Sequence, residues 1–505
     1  MNTQLVNIIF GMKVKQARTD SGMNLTEFAS QCDLSSSYVT EIEKGRKYPR
    51  ADKIMRMAEV LNKEYDELVS IRLEPPLTHL GSALSSPVLG QFPFEEFGIE
   101  MSDLVNVLTR EPGKASALLH AIAELGRQFD LKEQHFLRAA LRSYQELHDN
   151  YFPELEEEAQ KFAKKHKLHD QIPVSTTQLE ELLRTKYKFE IDHTQIKADS
   201  LLSKYRSVYI RGAKPQLVVN PQLQPHQIKF ELARELGYQY LKLTDRAYTS
   251  APDQVDSFQQ VFNDFKASYF AGALLMPSQF ILDDIQAFFE LTSWSPKPLY
   301  KMLEKYDVSP EALLYRFSEL VPQFFGTKLH FLRLHNGSDG RYHLVKQLNL
   351  NRLRVPNGLA ADEHFCRRWL VVRLLRELKQ QRANQTLSNG HAVSQRAPVV
   401  GVQMSEYIDS RDHFLCFGFA RPLSLSPGVD SCGIIGFRAE NLHNIIRFAK
   451  DPSIPHVNIN ETCERCALTL DQCNLRAAEP SVLLSRKERA ARKEELRQLL
   501  DRMRA

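Results

Sequence analysis

Three cysteines crowd into the run NETCERCALTLDQC as Cys463-x2-Cys466-x6-Cys473. Sulfur donors at this spacing, outside a disulfide framework, point to zinc or an iron–sulfur cluster. Zinc would need a fourth nitrogen or sulfur ligand, and His456, seven residues before Cys463, is one donor. A [4Fe–4S] cluster can be held by three cysteines and one further residue, with Cys366 and Cys432 as candidates if the fold brings them near. Reduced structural cysteines are the alternative. The chain has seven cysteines, and an odd number argues against pairing throughout.

A second set of polar residues lies in the first seventy. Asn24, with Glu27 three residues on, starts a helix; Ser35 starts another through Tyr38, Val39 and Ile42, which stops at Gly45. Gly22 closes the preceding helix, and Asp33 falls where the turn requires a positive φ. Ile54, Met57, Ala58 and Leu61 repeat at helical spacing. Two short helices joined by a tight turn, inside a unit of four or five helices, form the helix-turn-helix plan. The stretch MNLTEFASQCDLSSSYVTEIEKGRKYP resembles the lambda-repressor-like (Cro/C1, XRE) helix-turn-helix family, with small Ala29, apolar Leu34, and Ile42-Glu43-Lys44-Gly45 in place. Asp33 stands where that family usually has Gly, and Leu25 where it often has a phosphate-contacting Gln. The resemblance implies double-stranded operator DNA as partner. Ser36, Ser37, Thr40 and Glu41 would then point at base edges, and Asn24, Lys44 and Arg46 at phosphates. An ordinary exposed polar residue is the alternative for each.

The middle of the chain reads as a strand pair (Val208-Tyr209-Ile210 and Gln216 to Asn220), the helix HQIKFELARELGYQYLKL, and the later helix FKASYFAGALLMP. This order resembles the ImmA/IrrE type of zinc metallopeptidase domain. Such a domain carries His-Glu-x-x-His, two imidazoles on one helix face with the Glu as general base. Here the corresponding residues are Arg234, Glu235 and Tyr238, and the third ligand position falls at Lys266. A guanidinium has no lone pair to offer a metal. No catalytic zinc and no enzymatic activity are expected. Arg234, Glu235 and Lys266 form either a salt-bridge set in place of zinc or a reused pocket for an anionic ligand.

Towards the C-terminus, residues 329–350 read as a hairpin around Asn336-Gly337, and strands return at 398–404, 413–420 and 432–437 after a polar loop at 383–396. Antiparallel strands with interleaved helices argue α+β, of GAF-like type. Taken together, FKASYFAGALLMP, EHFCRRW and NETCERC resemble the short-chain fatty acyl transcriptional regulators of the PrpR and RamB kind. That resemblance implies regulation of propionate, acetate, methylcitrate or glyoxylate metabolism, an acyl-CoA effector, and a [4Fe–4S] cluster on Cys463, Cys466 and Cys473. Arg352, Arg354, Arg367 and Arg368 are candidates for the CoA phosphates, with solvated surface as the alternative. A redox or iron sensor without acyl-CoA, and a metallopeptidase that cleaves a repressor, are the competing readings.

These elements divide the chain into a helix-turn-helix domain (1–73), a linker (74–94) and a helical connecting and dimerisation region (95–170). A degenerate peptidase-like α+β domain (171–322), an α+β sensor (323–484) and a basic tail helix (485–505) follow. A homodimer would match a pseudo-palindromic operator. The formal net charge is only +4, all of it in the tail, so composition alone does not announce nucleic acid. No apolar run approaches the roughly 18 residues that span a bilayer, and Met1–Phe10 lacks the pattern of a secretory signal. A cytoplasmic protein with no membrane partner is expected.

Overall fold

The computed structural model describes residues 3–70, 93, 95–99, 133–250, 255–337, 340–356, 363–386 and 397–504. Nearly all of the expected linker, the expected helices through Leu104, Val105, Leu108, Leu118, Leu119 and Ile122, and most of the polar loop lie outside them. The chain forms two compact units, Met1–Tyr144 with Asp256–Phe258, and Gln145–Val255 with Gln259–Ala505.

In the first unit five helices follow one another: α1 (Thr3–Asp20), α2 (Leu25–Gln31), α3 (Ser36–Glu43), α4 (Ala51–Val60) and α5 (Tyr65–Val69). Their ends are where the side chains require them. Asn24 Oδ1 accepts from the Glu27 amide at 2.9 Å and Ser35 Oγ from the Tyr38 amide at 3.1 Å, satisfying orphan donors of α2 and α3. Gly22 (φ +70°) and Gly45 (φ +68°) end helices in the left-handed region, and Asp33 takes φ +56° in the turn. Phe10, Val14, Phe28, Ala29, Val39, Ile42, Met57 and Leu68 share one core, with Cys32 buried among them. α1 approaches α3 so closely that a Cβ on Gly11 would stand 2.2 Å from the Ile42 carbonyl oxygen.

Two helices, α6 (Glu133–Leu147) and α7 (Pro153–Lys165), match the helical character expected of the connecting region. α8 (Thr176–Lys186) precedes a small sheet of β1 (Glu190–Asp192), β2 (Ser207–Ile210), β3 (Gln216–Val219) and β4 (Thr249–Ser250), in spatial order β1-β3-β2-β4. β2 and β3 pair antiparallel, as the alternation around Gly212 suggests. α9 (Pro225–Tyr240) and α10 (Phe258–Leu275) cross closely at Gly237, whose added Cβ would meet the Ala267 carbonyl oxygen at 3.0 Å. Three more helices follow: α11 (Ser278–Phe289), α12 (Lys297–Tyr306) and α13 (Pro310–Phe325).

The larger sheet contains β5 (Leu329–Asn336), β6 (Tyr342–Asn349), β7 (Val399–Tyr407), β8 (His413–Pro422), β9 (Asp430–Arg438) and β10 (His456–Ile459), ordered β10-β7-β8-β9-β5-β6. Its central strands β8 and β9 read as near-continuous apolar runs because both of their faces are covered. α14 (Leu370–Thr386) packs on one face against Leu332, Cys416, Cys432 and Ile434. On the other, Phe288 and Phe317 pack on Phe417, and Phe289 on Phe437. The peptidase-like helices and the C-terminal sheet therefore share one core across the expected boundary at 322. β10 pairs parallel with β7; four residues of mixed polarity gave no signal for it. α14 continues to Thr386, where the sequence suggested a loop from 383. The tail forms α15 (Ser481–Arg504).

Candidate functional site

The candidate DNA-reading surface is α3. Val39, Ile42 and Glu43 are buried, which turns Ser37 to solvent and leaves Ser36, Thr40, Glu41 and Lys44 half-exposed. Arg18 holds this helix in place: its Nε and Nη2 donate to both Glu43 oxygens at 2.6 and 3.1 Å, and Nη1 donates to the Met23 carbonyl at 2.7 Å. Such a bidentate pair fixes orientation as well as distance. Thr40 Oγ1 donates to the Ser36 carbonyl at 2.8 Å, Asn24 spends its carbonyl oxygen on the α2 cap, and Arg46 lies 3.5 Å from Glu41. Sequence reasoning passed over Lys47 and Lys53, whose ammonium groups stand 5.7 and 4.5 Å from the Tyr38 ring centroid and extend the basic surface beside α3. The signal was the basic run around Pro49.

In the peptidase-like region the structure joins Arg234 and Tyr238 and adds a residue that sequence reasoning missed. Arg234 Nη1 donates to Asp264 Oδ1 at 2.6 Å and Nη2 to Glu231 Oε2 at 3.0 Å; the Tyr238 hydroxyl donates to the same Asp264 oxygen at 3.1 Å. Glu231 also accepts from Ser207 Oγ at 2.9 Å. Burial disfavours the Arg234 cation, but Glu231 and Asp264 more than offset it and hold it charged. Lys266, by contrast, lies with its ammonium 4.0 Å from the Phe262 ring centroid. Asp264, two residues earlier on α10, and not Lys266, is the α10 side chain bonded to Arg234 and Tyr238. Glu235 accepts two bonds from Arg246 at 2.7 and 2.8 Å and one from Gln239 at 2.9 Å. Arg246 is in turn stacked between Tyr209 and Tyr238, its guanidinium carbon 4.0 and 3.8 Å from the ring centroids. The carboxylate where a general base would stand is thus saturated by cation and amide donors.

The third candidate is the cysteine loop. Cys463, Cys466 and Cys473 are all buried, and Cys366 joins them: the Cys366 thiol feels both Cys463 and Cys466, and Cys466 feels Cys473 and Cys463. A single β-bridge, Phe365 to Thr462, sets that approach. His456 is an exposed residue of β10, and Cys432 lies on β9 opposite Leu334 and Ala420, so neither alternative is brought to the set. Burial pushes the Cys366 thiol up to about 11. Arg476 organises the loop, donating to the carbonyls of Cys463 at 2.9 Å and of Leu468, and the Ala477 amide donates to Cys463 Sγ at 3.4 Å. Among the described residues no three His, Cys, Asp or Glu side chains are gathered to hold one metal ion.

A small recess of about 20 Å³ lies between α14 and the larger sheet, lined by His330, Leu332, Leu353, Trp369, Tyr407, Phe414 and Cys416 among others. Burial drives His330 down to about 4, so its ring is neutral, and its Nε2 lies 3.9 Å from Cys416 Sγ. Gly436 makes room for both, since a Cβ there would meet the imidazole at 2.4 Å and Cys416 Sγ at 2.7 Å. Of the four arginines considered for CoA, Arg352 and Arg354 are exposed, and Arg367 lies 4.6 Å from the Tyr342 ring centroid.

Five helices with α3 presented as a reading helix define a DNA-binding helix-turn-helix protein. Residues 14–68 match the helix-turn-helix family model, and residues 190–318 match the IrrE N-terminal-like domain. Control protein C.BamHI of Bacillus amyloliquefaciens is 31% identical over 68 residues, covering 13% of this chain and 84% of that protein. The chain belongs to the Cro/C1-type helix-turn-helix family of transcription regulators and carries an IrrE-like domain. Two solved structures are also similar. A Mycobacterium tuberculosis transcriptional regulator is 17% identical with a TM-score of 0.48, over 68% of this chain and 93% of that one. The apo form of the competence regulator ComR from Streptococcus vestibularis is 15% identical with a TM-score of 0.13, over 64% and 88%. No described helix is long and apolar enough to cross a membrane.

Proposed function

We propose that this regulator senses a short-chain acyl-CoA in its second unit, carries a [4Fe–4S] cluster on its cysteine loop, and binds operator DNA as a homodimer. It acts on genes of short-chain carboxylate metabolism and catalyses no reaction. The observation that carries the sensor reading is a shared wall. Trp369 lines the recess, its amide donates to the Cys366 carbonyl at 3.1 Å, and its indole Nε1 donates to the Asn460 carbonyl at 2.7 Å. Tyr407 lines the same recess and feels both Cys416 and Cys366. At about 20 Å³ the cavity holds little more than one water, so an acyl group of a few carbons would enter it only as its walls move apart.

Cys366, Cys463, Cys466 and Cys473 are all buried thiols, the donor type that an iron–sulfur cluster takes. Cys463, Cys466 and Cys473 would hold it, with Cys366 as the fourth ligand, and it would supply sensitivity to iron and oxidants. Arg476 and the Ala477 amide position the loop for that role. Against peptidase activity stand the Arg234–Asp264 and Glu235–Arg246 pairs, which occupy the ligand and base positions.

The test is operator binding by the full chain, purified anaerobically, with and without propionyl-CoA, alongside iron and sulfide analysis. The expected result is about four irons per chain and an operator affinity that propionyl-CoA shifts at least fivefold. Iron-bound protein indifferent to acyl-CoA would favour the iron or redox sensor, and an iron-free preparation that still responds would retire the cluster. Chelator-sensitive proteolysis of a partner would retire the non-enzymatic reading.

A further inference from the structure

On β5 and β6 the register places Arg333 directly opposite Lys346. Cross-strand partners stand about 5 Å apart at Cβ, and like charges at that position repel. Among the described residues neither cation is in an ion pair within 4.0 Å, although Glu311 acts on Arg333 and Glu319 on Lys346 from farther off. Arg333 Nε donates to Ser431 Oγ at 3.1 Å and its Nη2 approaches His335 Nε2 at 3.2 Å, where burial and the Arg333 charge keep the imidazole neutral. The Lys346 ammonium stands 3.5 Å from the Tyr315 ring centroid. Arg206, just before β2, adds a third charge and reaches Glu231 only at 3.8 Å.

The nearby carboxylates all have closer cations. Glu311 takes three bonds from Arg421 at 2.9–3.0 Å, Asp264 is held by Arg234 and Tyr238, and Glu319 is bound by Arg316 at 2.9 Å. Arg333 is lowered by burial and by the charges of Arg206 and Arg421, though Glu311 opposes this. Yet Lys346 is solvent-exposed and Arg333 and Arg206 are half-exposed, so a solute can reach them. Three cations are held together against their mutual repulsion, and the carboxylates nearest them, Glu231 and Glu311, are each bound more closely by another arginine, an arrangement suited to an anion.

We propose that Arg206, Arg333 and Lys346 form a binding site for a multiply charged phosphate group of a small molecule. The site joins the two halves of the second unit: Arg206 comes from the IrrE-like region, and Arg333 and Lys346 from the C-terminal sheet. It rests on the reading of that unit as a sensor and places the phosphate end of the effector.

The experiment is calorimetry of the full chain with pyrophosphate, coenzyme A and propionate at constant ionic strength, repeated on Arg333→Gln/Lys346→Gln and on Arg206→Gln. Pyrophosphate and coenzyme A are expected to bind saturably to the native protein, and propionate alone not at this site. The double variant is expected to bind both at least tenfold more weakly while melting no lower than the native protein, because removing like charges relieves repulsion; a purely structural role would lower the melting point. Arg206→Gln, on a separate element, is expected to weaken binding at least threefold. No saturable pyrophosphate binding, or unchanged binding by both variants, overturns the site. Propionyl-CoA bound equally by native and variant protein would overturn the site while leaving the sensor reading intact. Pyrophosphate binding without any acyl-CoA effect on operator affinity would do the reverse.

Discussion

At the scale of single residues, buried ions set the pH response. Arg316 is fully buried and donates to both oxygens of Glu156 at 2.6 and 2.8 Å and to Glu319 at 2.9 Å. Burial disfavours the Glu156 anion, but Arg316 and Tyr269 outweigh it and hold that carboxyl below its usual range. Burial, only partly offset by Arg316, raises Glu319 from 4.5 to about 7. A raised carboxyl binds a proton in the folded chain that the unfolded chain has released. Its contribution is therefore complete below about 4.5 and lost as pH rises through about 7. Urea unfolding of this unit should show stability falling on the order of 1–3 kcal/mol between pH 5 and pH 8. Glu319→Gln should flatten that slope; a native protein equally stable at both values would contradict the assignment. Little of this was legible beforehand. Arg316 and Glu156 are 160 positions apart, and nothing in either neighbourhood names the other. Arg234 and Tyr238 could be picked out by helical spacing, but Asp264 could not, because its role depends on how α9 and α10 cross at Gly237.

At the scale of elements, the reading helix depends on one close approach. Gly11 lets α1 lie against the end of α3, and Arg18 then clamps Glu43. Gly11→Ala must push the helices apart, because the obstacle is the backbone carbonyl of Ile42. Loss of operator binding and a destabilisation of about 1–3 kcal/mol are expected, by analogy with overpacking in cores; circular dichroism melting of the first unit and a gel-shift titration would detect both. Asp33→Gly should do the opposite, leaving affinity unchanged and adding about 0.5–1 kcal/mol, since φ +56° costs Asp more than Gly. A destabilised Asp33→Gly variant would show that the Asp side chain contributes more than its backbone conformation costs. These elements were readable from the chain itself because caps, glycines and apolar spacing are local. β10 and the length of α14 were not, because a four-residue strand is stabilised by the neighbour it meets.

At the scale of the whole molecule, the proposed sensing ties two binding events by linkage. If propionyl-CoA shifts operator affinity fivefold, operator DNA must shift propionyl-CoA affinity fivefold, a coupling of about 1 kcal/mol. Calorimetry of acyl-CoA binding with and without operator would measure it, and unequal factors would mean that a third state intervenes. The chain by itself determined the helix-turn-helix, the strand–helix order of the IrrE-like region with Arg234 and Tyr238 on one helix, and the tight cysteine spacing. Each is written in residues a few positions apart, where periodicity and side-chain chemistry act directly. Only the tertiary structure decided which partners those residues take. It put Asp264 rather than Lys266 against Arg234, drew Cys366 to the cysteine loop while leaving His456 and Cys432 away, and packed the IrrE-like helices and the C-terminal sheet on one core. It also set Arg333 across from Lys346 with Arg206 beside them. Such pairings follow from strand register and helix crossing, which join positions tens to hundreds of residues apart and leave no periodic trace in the sequence.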